Sequence, residues 1–239
     1  MQVTAAAQDE SVFIGLPNVF RRLETRQRAA LAEHAEVRFL QRNEVLIAHG
    51  EPGPRAFALR AGILTMGYPT GASQIVVTEF FTPHDVHTSL RPPASPTPFQ
   101  VRSVGRSAVV CWPLAVFNDV LARNAEFCFW YLEQSKRRIE TLQSQRARMH
   151  VLDLEARYAY FLWSIAEQSR DGRREVAVKI PQQTVASYLG VSREEVSRKK
   201  QLLEKAGFIE ETPNGLALSP RLPCLFSLGE DCLLPWEPD

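Results

Sequence analysis

Cysteine is scarce and scattered: Cys111, Cys128, Cys224 and Cys232 form no C-x-x-C pair and no close grouping with histidine. That pattern excludes a disulfide framework and a structural zinc site, and leaves buried thiols as the expectation. Long apolar runs are missing too, since no window approaches the roughly 20 apolar residues that a membrane span needs. Met1 to Glu10 lacks the basic-then-apolar layout of a secretory signal. A cytoplasmic chain with no membrane partner is therefore expected. G-x-S-x-G, P-loop and H-E-x-x-H patterns are absent, as are convincing paired carboxylates, so the chain is not expected to be an enzyme. Nor does one sign of charge dominate, because 28 Lys and Arg against 27 Asp and Glu leave a formal +1 over 239 residues. The distribution is more telling than the sum. From Arg170 to Lys205 there are nine basic residues against five acidic ones, a local basic excess of the kind that meets polyanions.

What is present is enough apolar material for one or two cores, at 45% hydrophobic and 23% charged, and two modest domains fit this length. From about Val37 to Trp112, short apolar runs alternate with turn formers. Strands are predicted at Val45–Ile47, Ala56–Arg60, Ile63–Tyr68, Ile75–Phe81, Gln100–Val104 and Ala108–Trp112, with Gly50, Gly53, Gly62, Gly71 and Gly105 between or beside them. An antiparallel barrel or roll follows from that spacing. The insertion Arg91–Pro98 carries four prolines and is expected as a surface loop.

After Pro113 the period becomes helical. A short helix over Leu114–Arg123 leads into a long one over about Ala125–His150, which no Gly or Pro interrupts. Along it Cys128, Leu132, Ser135, Ile139, Leu142, Arg146 and Met149 follow the alternating four-and-three spacing of a heptad seam. Self-association through this helix is expected, against the simpler alternative that it packs on its own barrel. A further helix is predicted over Leu154–Gln168, with Leu154, Tyr158, Phe161, Leu162 and Ile165 on one face and a turn at Arg170–Arg174 closing it.

Thr184–Lys205 carries the most specific pattern in the chain. Ala186, Gly190 and Val196 stand at the spacing of a helix-turn-helix: a small residue for close helix approach, a glycine for the tight turn, and an apolar residue that packs the second helix on the first. Pro181 suits the start of the first helix, and Ser192 with Glu195 predicts a capping box that opens the second. Arg193, Glu194, Ser197 and Arg198 then face outward near its N-terminal end. These side chains can address guanine, cytosine or phosphate in a major groove of double-stranded DNA. The competing expectation is a solvated face with Glu194 and Arg198 paired along the helix. Gly207 is expected to cap that helix. Phe208–Glu210 and Leu216–Leu218 then read as a hairpin around Thr212-Pro213-Asn214-Gly215, the wing of a winged helix.

The order of barrel, long helix, second helix and winged helix-turn-helix, together with LGVSREEVSR, resembles the catabolite activator/FNR superfamily of bacterial transcription factors. The resemblance covers about Leu40 to Leu218, with Gly50-Glu51 and Ala61-Gly62 similar to the family's first glycine turns and Leu152-Asp153 similar to its hinge. It implies an α+β chain: an antiparallel β-roll of cupin-like sensor type over 1–124, a dimerisation helix over 125–152, a winged helix-turn-helix over 153–219 and a tail over 220–239. It also implies a homodimer on an inverted repeat, with RNA polymerase as a partner. Glu194, Ser197 and Arg198 match the family's E-x-x-S-R reading triad, and Arg193 matches an arginine of the catabolite-activator branch, which suggests TTGA-like half-sites. Lys199 and Lys200 stand where the family usually has apolar residues. Either their stems cover the core while their heads reach phosphates, Lys199 being the candidate contact, or the helix packs differently.

The sensor departs further. Thr88-Ser89 and about Thr97-Pro98 occupy the places where cyclic-nucleotide members hold ribose and cyclic phosphate, with no arginine at the phosphate position, since Arg106-Ser107 falls in the next strand. Leu142 and Gln143 replace the pair that reads the purine. These departures argue against cyclic AMP, and the lack of cysteine before Cys111 argues against an iron-sulfur cluster. The expected effector pocket is mainly apolar, walled by Leu90, Phe99, Tyr131, Ile139 and Leu142 with Thr88, Ser89 and Gln143 as its polar groups. It suits a small apolar or aromatic ligand, or is filled by side chains in an effector-independent regulator. Haem-dependent sensing through His84 or His87 is the other alternative.

Overall fold

The computed structural model describes residues 11–51, 55–71, 74–89, 95–169 and 172–227. The chain divides into two compact units, Met1–Gln134 and Ser135–Asp239. Leu90, Cys232 and most of the proline-rich insertion lie outside the described residues, as do Gly53 and Arg170.

The N-terminal unit is a β-roll with a helical layer against one face. Its strands are β1 (Glu36–Leu40), β2 (Val45–Ile47), β3 (Arg55–Ala61), β4 (Leu64–Thr70), β5 (Gln74–Phe81), β6 (Val86–His87), β7 (Gln100–Ser103) and β8 (Ser107–Pro113). All pair antiparallel, in two sheets ordered β1-β8-β3-β6 and β2-β7-β4-β5. Successive residues of a strand face opposite ways, and β3 shows why it is buried on both sides. Phe57 and Leu59 enter the core between the sheets, whereas Ala56 and Ala58 meet the helical layer, where their small size lets helices approach. β8 divides in the same way, with Val109 and Cys111 inside and Val110 and Trp112 outside. Burial pushes the Cys111 thiol up to about 11, so it stays protonated and inert, the buried thiol expected.

The helical layer comprises a 3-10 turn (Asn18–Arg22), α1 (Thr25–Glu33), α2 (Leu114–Arg123) and the start of α3 (Ala125–Val151). Phe20 is its centre, stacked on Trp112 at 5.6 Å and edge-on to Phe127 at 5.1 Å. The Trp112 indole donates to the Leu31 carbonyl at 2.9 Å, which ties α1 to the sheet. The 3-10 turn, α1, β1 and β6 were not among the predicted elements.

In the C-terminal unit the second half of α3 is followed by α4 (Leu154–Ile165), β9 (Glu167–Gln168), β10 (Arg174–Val176), α5 (Gln182–Leu189), α6 (Arg193–Lys205), β11 (Ile209–Glu211) and β12 (Leu216–Leu218). Asp153 caps α4 by accepting from the Ala156 amide at 2.9 Å. That helix ends earlier than predicted: Ala166 turns extended, and Glu167–Gln168 join a sheet ordered β11-β12-β10-β9. It is also buried around more of its circumference than one apolar face, because Tyr160 is covered by the chain beyond β12. There a 3-10 turn (Leu222–Leu225) brings Phe226 edge-on to Tyr160 at 5.4 Å. Buried Arg148 of α3 donates to the Phe226 carbonyl at 3.1 Å and lies 4.4 Å over the Tyr160 ring. No helix among the described residues is long and apolar enough to cross a membrane.

Candidate nucleic-acid interface

The α5-turn-α6 motif is built as its residue types require. Pro181 precedes α5, and Gly190 ends it in the left-handed region at φ +69°, which a residue with a Cβ enters at a cost. Ala186 and Val196 are fully buried between the helices. Ser192 then opens α6: its hydroxyl accepts from the Glu195 amide at 3.2 Å, and the Glu195 carboxylate accepts from the Ser192 amide at 2.9 Å and hydroxyl at 2.7 Å. Those Ser192 hydrogen bonds hold the Glu195 carboxyl below its usual range.

At the far end α6 closes with the Gly207 amide donating to Glu204 and the Phe208 amide to Leu203, the paired bonds of a Schellman motif, with Gly207 at φ +70°. The wing follows as β11 and β12, joined through Thr212–Gly215. Asn214 does not take positive φ, so the Asn-Gly pair is not a primed turn. Gly215 is needed for another reason: a Cβ there would stand 1.8 Å from the Val176 carbonyl oxygen of β10.

Of the predicted reading residues, Arg193, Glu194 and Arg198 are exposed and Ser197 is half-buried on α6. The side chains of Arg193, Glu194 and Arg198 make no hydrogen bond or ion pair with a described residue, so the Glu194–Arg198 pairing is not formed. Lys199 and Lys200 behave differently. Lys199 Nζ donates to Glu155 Oε2 of α4 at 3.1 Å, so its ammonium is engaged inside the unit rather than offered outward. Lys200 lies 3.2 Å from Glu204 and pairs with Glu211 on β11. Burial alone would lower the Lys200 ammonium, but the hydrogen bonds and charges of Glu211 and Glu204 outweigh it and raise the group. Glu211 is correspondingly lowered by Lys200. Glu155 and Glu211 were not foreseen, because nothing local in the sequence marks partners 44 and 11 positions away.

The candidate effector residues divide. In the N-terminal unit the Thr88 amide donates to the Tyr131 hydroxyl at 3.2 Å, and the Thr88 hydroxyl donates to Asn118 Oδ1 at 3.0 Å. Asn118 in turn donates to the Ser89 carbonyl at 3.1 Å, so Thr88 and Ser89 are joined through a residue of α2 that sequence reading missed, while Tyr131 meets Thr88 directly. The Thr97 hydroxyl is bound to the Glu51 carbonyl at 2.9 Å. Phe99 lies in the barrel core beside His87. Ile139, Leu142 and Gln143 belong to the C-terminal unit and are exposed on α3. His84 is exposed at the tip of a Thr82–Asp85 turn, whereas the His87 ring is enclosed by Phe57, Phe81 and Phe99 at 5.3, 5.9 and 5.6 Å. The two histidines do not present a common face to a haem.

The capped helix, its glycine turn and the wing match the family model of the Crp-like helix-turn-helix domain over residues 156–219. The C-terminal unit carries a Crp-like helix-turn-helix. The chain is similar in fold to FixK2 of Bradyrhizobium japonicum, with TM-score 0.67 and 15% identity over 81% of this chain and 98% of that one. It is also similar to a CooA variant from Carboxydothermus hydrogenoformans, with TM-score 0.64 and 15% identity over 88% of this chain and 94% of that one. The c-di-GMP-responsive global regulator CLP of Xanthomonas campestris matches with TM-score 0.61 and 14% identity over 82% and 99% of the two chains. No curated protein matches. The chain thus has the fold of a Crp/Fnr-type DNA-binding transcription regulator, a β-roll followed by a long helix and a Crp-like helix-turn-helix.

Proposed function

We propose that the protein is a cytoplasmic, homodimeric transcription regulator that lays α6 in successive major grooves of an inverted repeat and works with RNA polymerase. The observation that carries this reading is the N-terminal end of α6: a helix start fixed by Ser192, with Arg193, Glu194 and Arg198 exposed and unengaged beside it. Such side chains keep their full donor and acceptor capacity for base edges. The dimer is supported by α3, where Leu132, Ile139, Leu142 and Met149 stay exposed at heptad spacing in a single chain. Gel-shift titration on a site selected from random duplexes tests the reading. Arg193→Ala or Arg198→Ala is expected to weaken specific binding by about 1–3 kcal/mol and to relax base preference, and unchanged affinity in both variants would refute it.

The N-terminal unit is read as a sensor-like roll without cyclic-phosphate anchors. The hydroxyls of Thr88 and Thr97 are taken by Asn118 and Glu51, which favours an effector-independent regulator, or one that takes a small apolar ligand, over a cyclic-nucleotide sensor. Calorimetry with cyclic AMP, cyclic GMP and small aromatic acids separates these readings, and micromolar binding of a cyclic nucleotide would overturn the argument.

A further inference from the structure

Two consecutive lysines on a helix proposed to read DNA invite assignment as phosphate contacts, but here their ammonium groups are paired with carboxylates of the same unit. Lys199 reaches back to Glu155, one residue into α4, and Lys200 reaches across to Glu211 on the first wing strand and to Glu204 one helical turn on. The Lys200 side chain is only 18% exposed. Lys200 borders a half-open cleft of about 200 Å³ together with Tyr158, Leu162, Val185 and Glu211. A well-packed apolar side chain would fix a helix by filling such a space. Beside this cleft the directional ion pairs add to the packing of Val196 and Leu203, both fully buried, in constraining α6.

Resting on the DNA-reading role given above, we infer that Lys199 and Lys200 are positioning residues that hold α6 between α4 and the wing, and thereby aim Arg193, Glu194 and Arg198, rather than contacts to phosphate. The two lysines leave adjacent positions of α6 for partners on different elements, so together they resist rotation of the helix about its own axis. A rotation would carry the reading side chains, which begin six residues before Lys199, away from the base edges. The acidic partners matter as much as the lysines. If the lysines were phosphate contacts, Glu155 and Glu211 would be competitors of DNA; as the structure stands they are anchors.

The two roles differ in sign as well as size. Lys199→Met and Lys200→Met keep most of the stem, while Glu155→Gln and Glu211→Gln keep shape and remove charge. Each variant is titrated in the full chain against a duplex carrying the inverted repeat that the wild-type protein selects, and against a scrambled duplex, over a range of salt concentrations. Positioning predicts that all four lose roughly tenfold in specific affinity, with binding to scrambled duplex and the salt slope little changed. A phosphate role predicts that the lysine variants lose affinity for both duplexes and that the salt slope falls by about one, while the glutamine variants bind more tightly. That pattern overturns the inference, and so does unaltered specific affinity in all four variants. A wild-type protein with no preference for the selected repeat would instead remove the DNA-reading role, and this inference with it.

Discussion

At the scale of single residues, the start of α6 depends on one reciprocal contact. Ser192 and Glu195 satisfy each other's backbone amides, and the charge on Glu195 is part of that arrangement. Because the folded carboxyl is held lower than in the unfolded chain, its contribution to stability is fully present above the ordinary range of about 4.3 and is lost as pH falls through the folded value. Ser192→Ala removes the hydroxyl that supplies part of the shift. Wild type is therefore expected to exceed Ser192→Ala in stability at neutral pH, with the gap narrowing as the solution is acidified below the ordinary carboxyl range. Denaturant unfolding of both proteins across that range measures this, and a gap independent of pH would show that Glu195 takes no part. Lys199 teaches the opposite lesson about single residues. Its place on the helix is legible in the sequence, but its partner Glu155 is set by how α4 and α6 pack.

At the scale of elements, α3 is the least enclosed helix among the described residues. Leu132 is 58% exposed and Ile139 55%, and the structure adds Phe129 at 66%, which the heptad frame did not include. In the proposed dimer, glutamate at Ile139 and Leu142 together would bury like charges against their symmetry mates, so Ile139→Glu/Leu142→Glu is expected to sediment as a monomer and to lose binding to inverted repeats. A double variant that still sediments as a dimer would place the seam elsewhere. Elements with a strong local period were legible in advance: α2 and β2 fall on their predicted bounds, and α3 runs one residue longer. The segment before β1 was not. Phe13, Leu16, Val19, Phe20, Leu23 and Leu31 are all buried, but they serve a loop, a 3-10 turn and a helix in which only Leu31 is buried, so they share no single period. The wing was legible for a partly wrong reason, since Gly215 is required by the close approach of β10 rather than by a left-handed turn. Of the candidate site, the reading residues followed from the cap at Ser192. The network around Asn118 did not, because it joins positions about 30 apart in sequence.

At the scale of the whole molecule, the stretch that matches the family model and the stretch that holds itself together are different lengths of chain. The Crp-like segment ends at 219, yet Leu222 and Phe226 beyond it are buried, and Arg148, before its start at 156, is buried as well and binds the Phe226 carbonyl. A recombinant fragment cut to 156–219 would discard α3 and the closing turn together, baring Tyr160 and Trp163. Loss of the Phe226 side chain alone is worth about 3–5 kcal/mol by comparison with other large-to-small core changes, against a typical total of about 5–15 kcal/mol for a domain. The 156–219 fragment is expected to show no cooperative thermal transition by circular dichroism, whereas 135–239, the full compact unit, should melt cooperatively. A sharp transition in the shorter piece would mean that the closing turn only decorates the fold. Otherwise anyone who wants a minimal DNA-binding fragment must choose its ends by where buried side chains stop, not by where the recognisable pattern does.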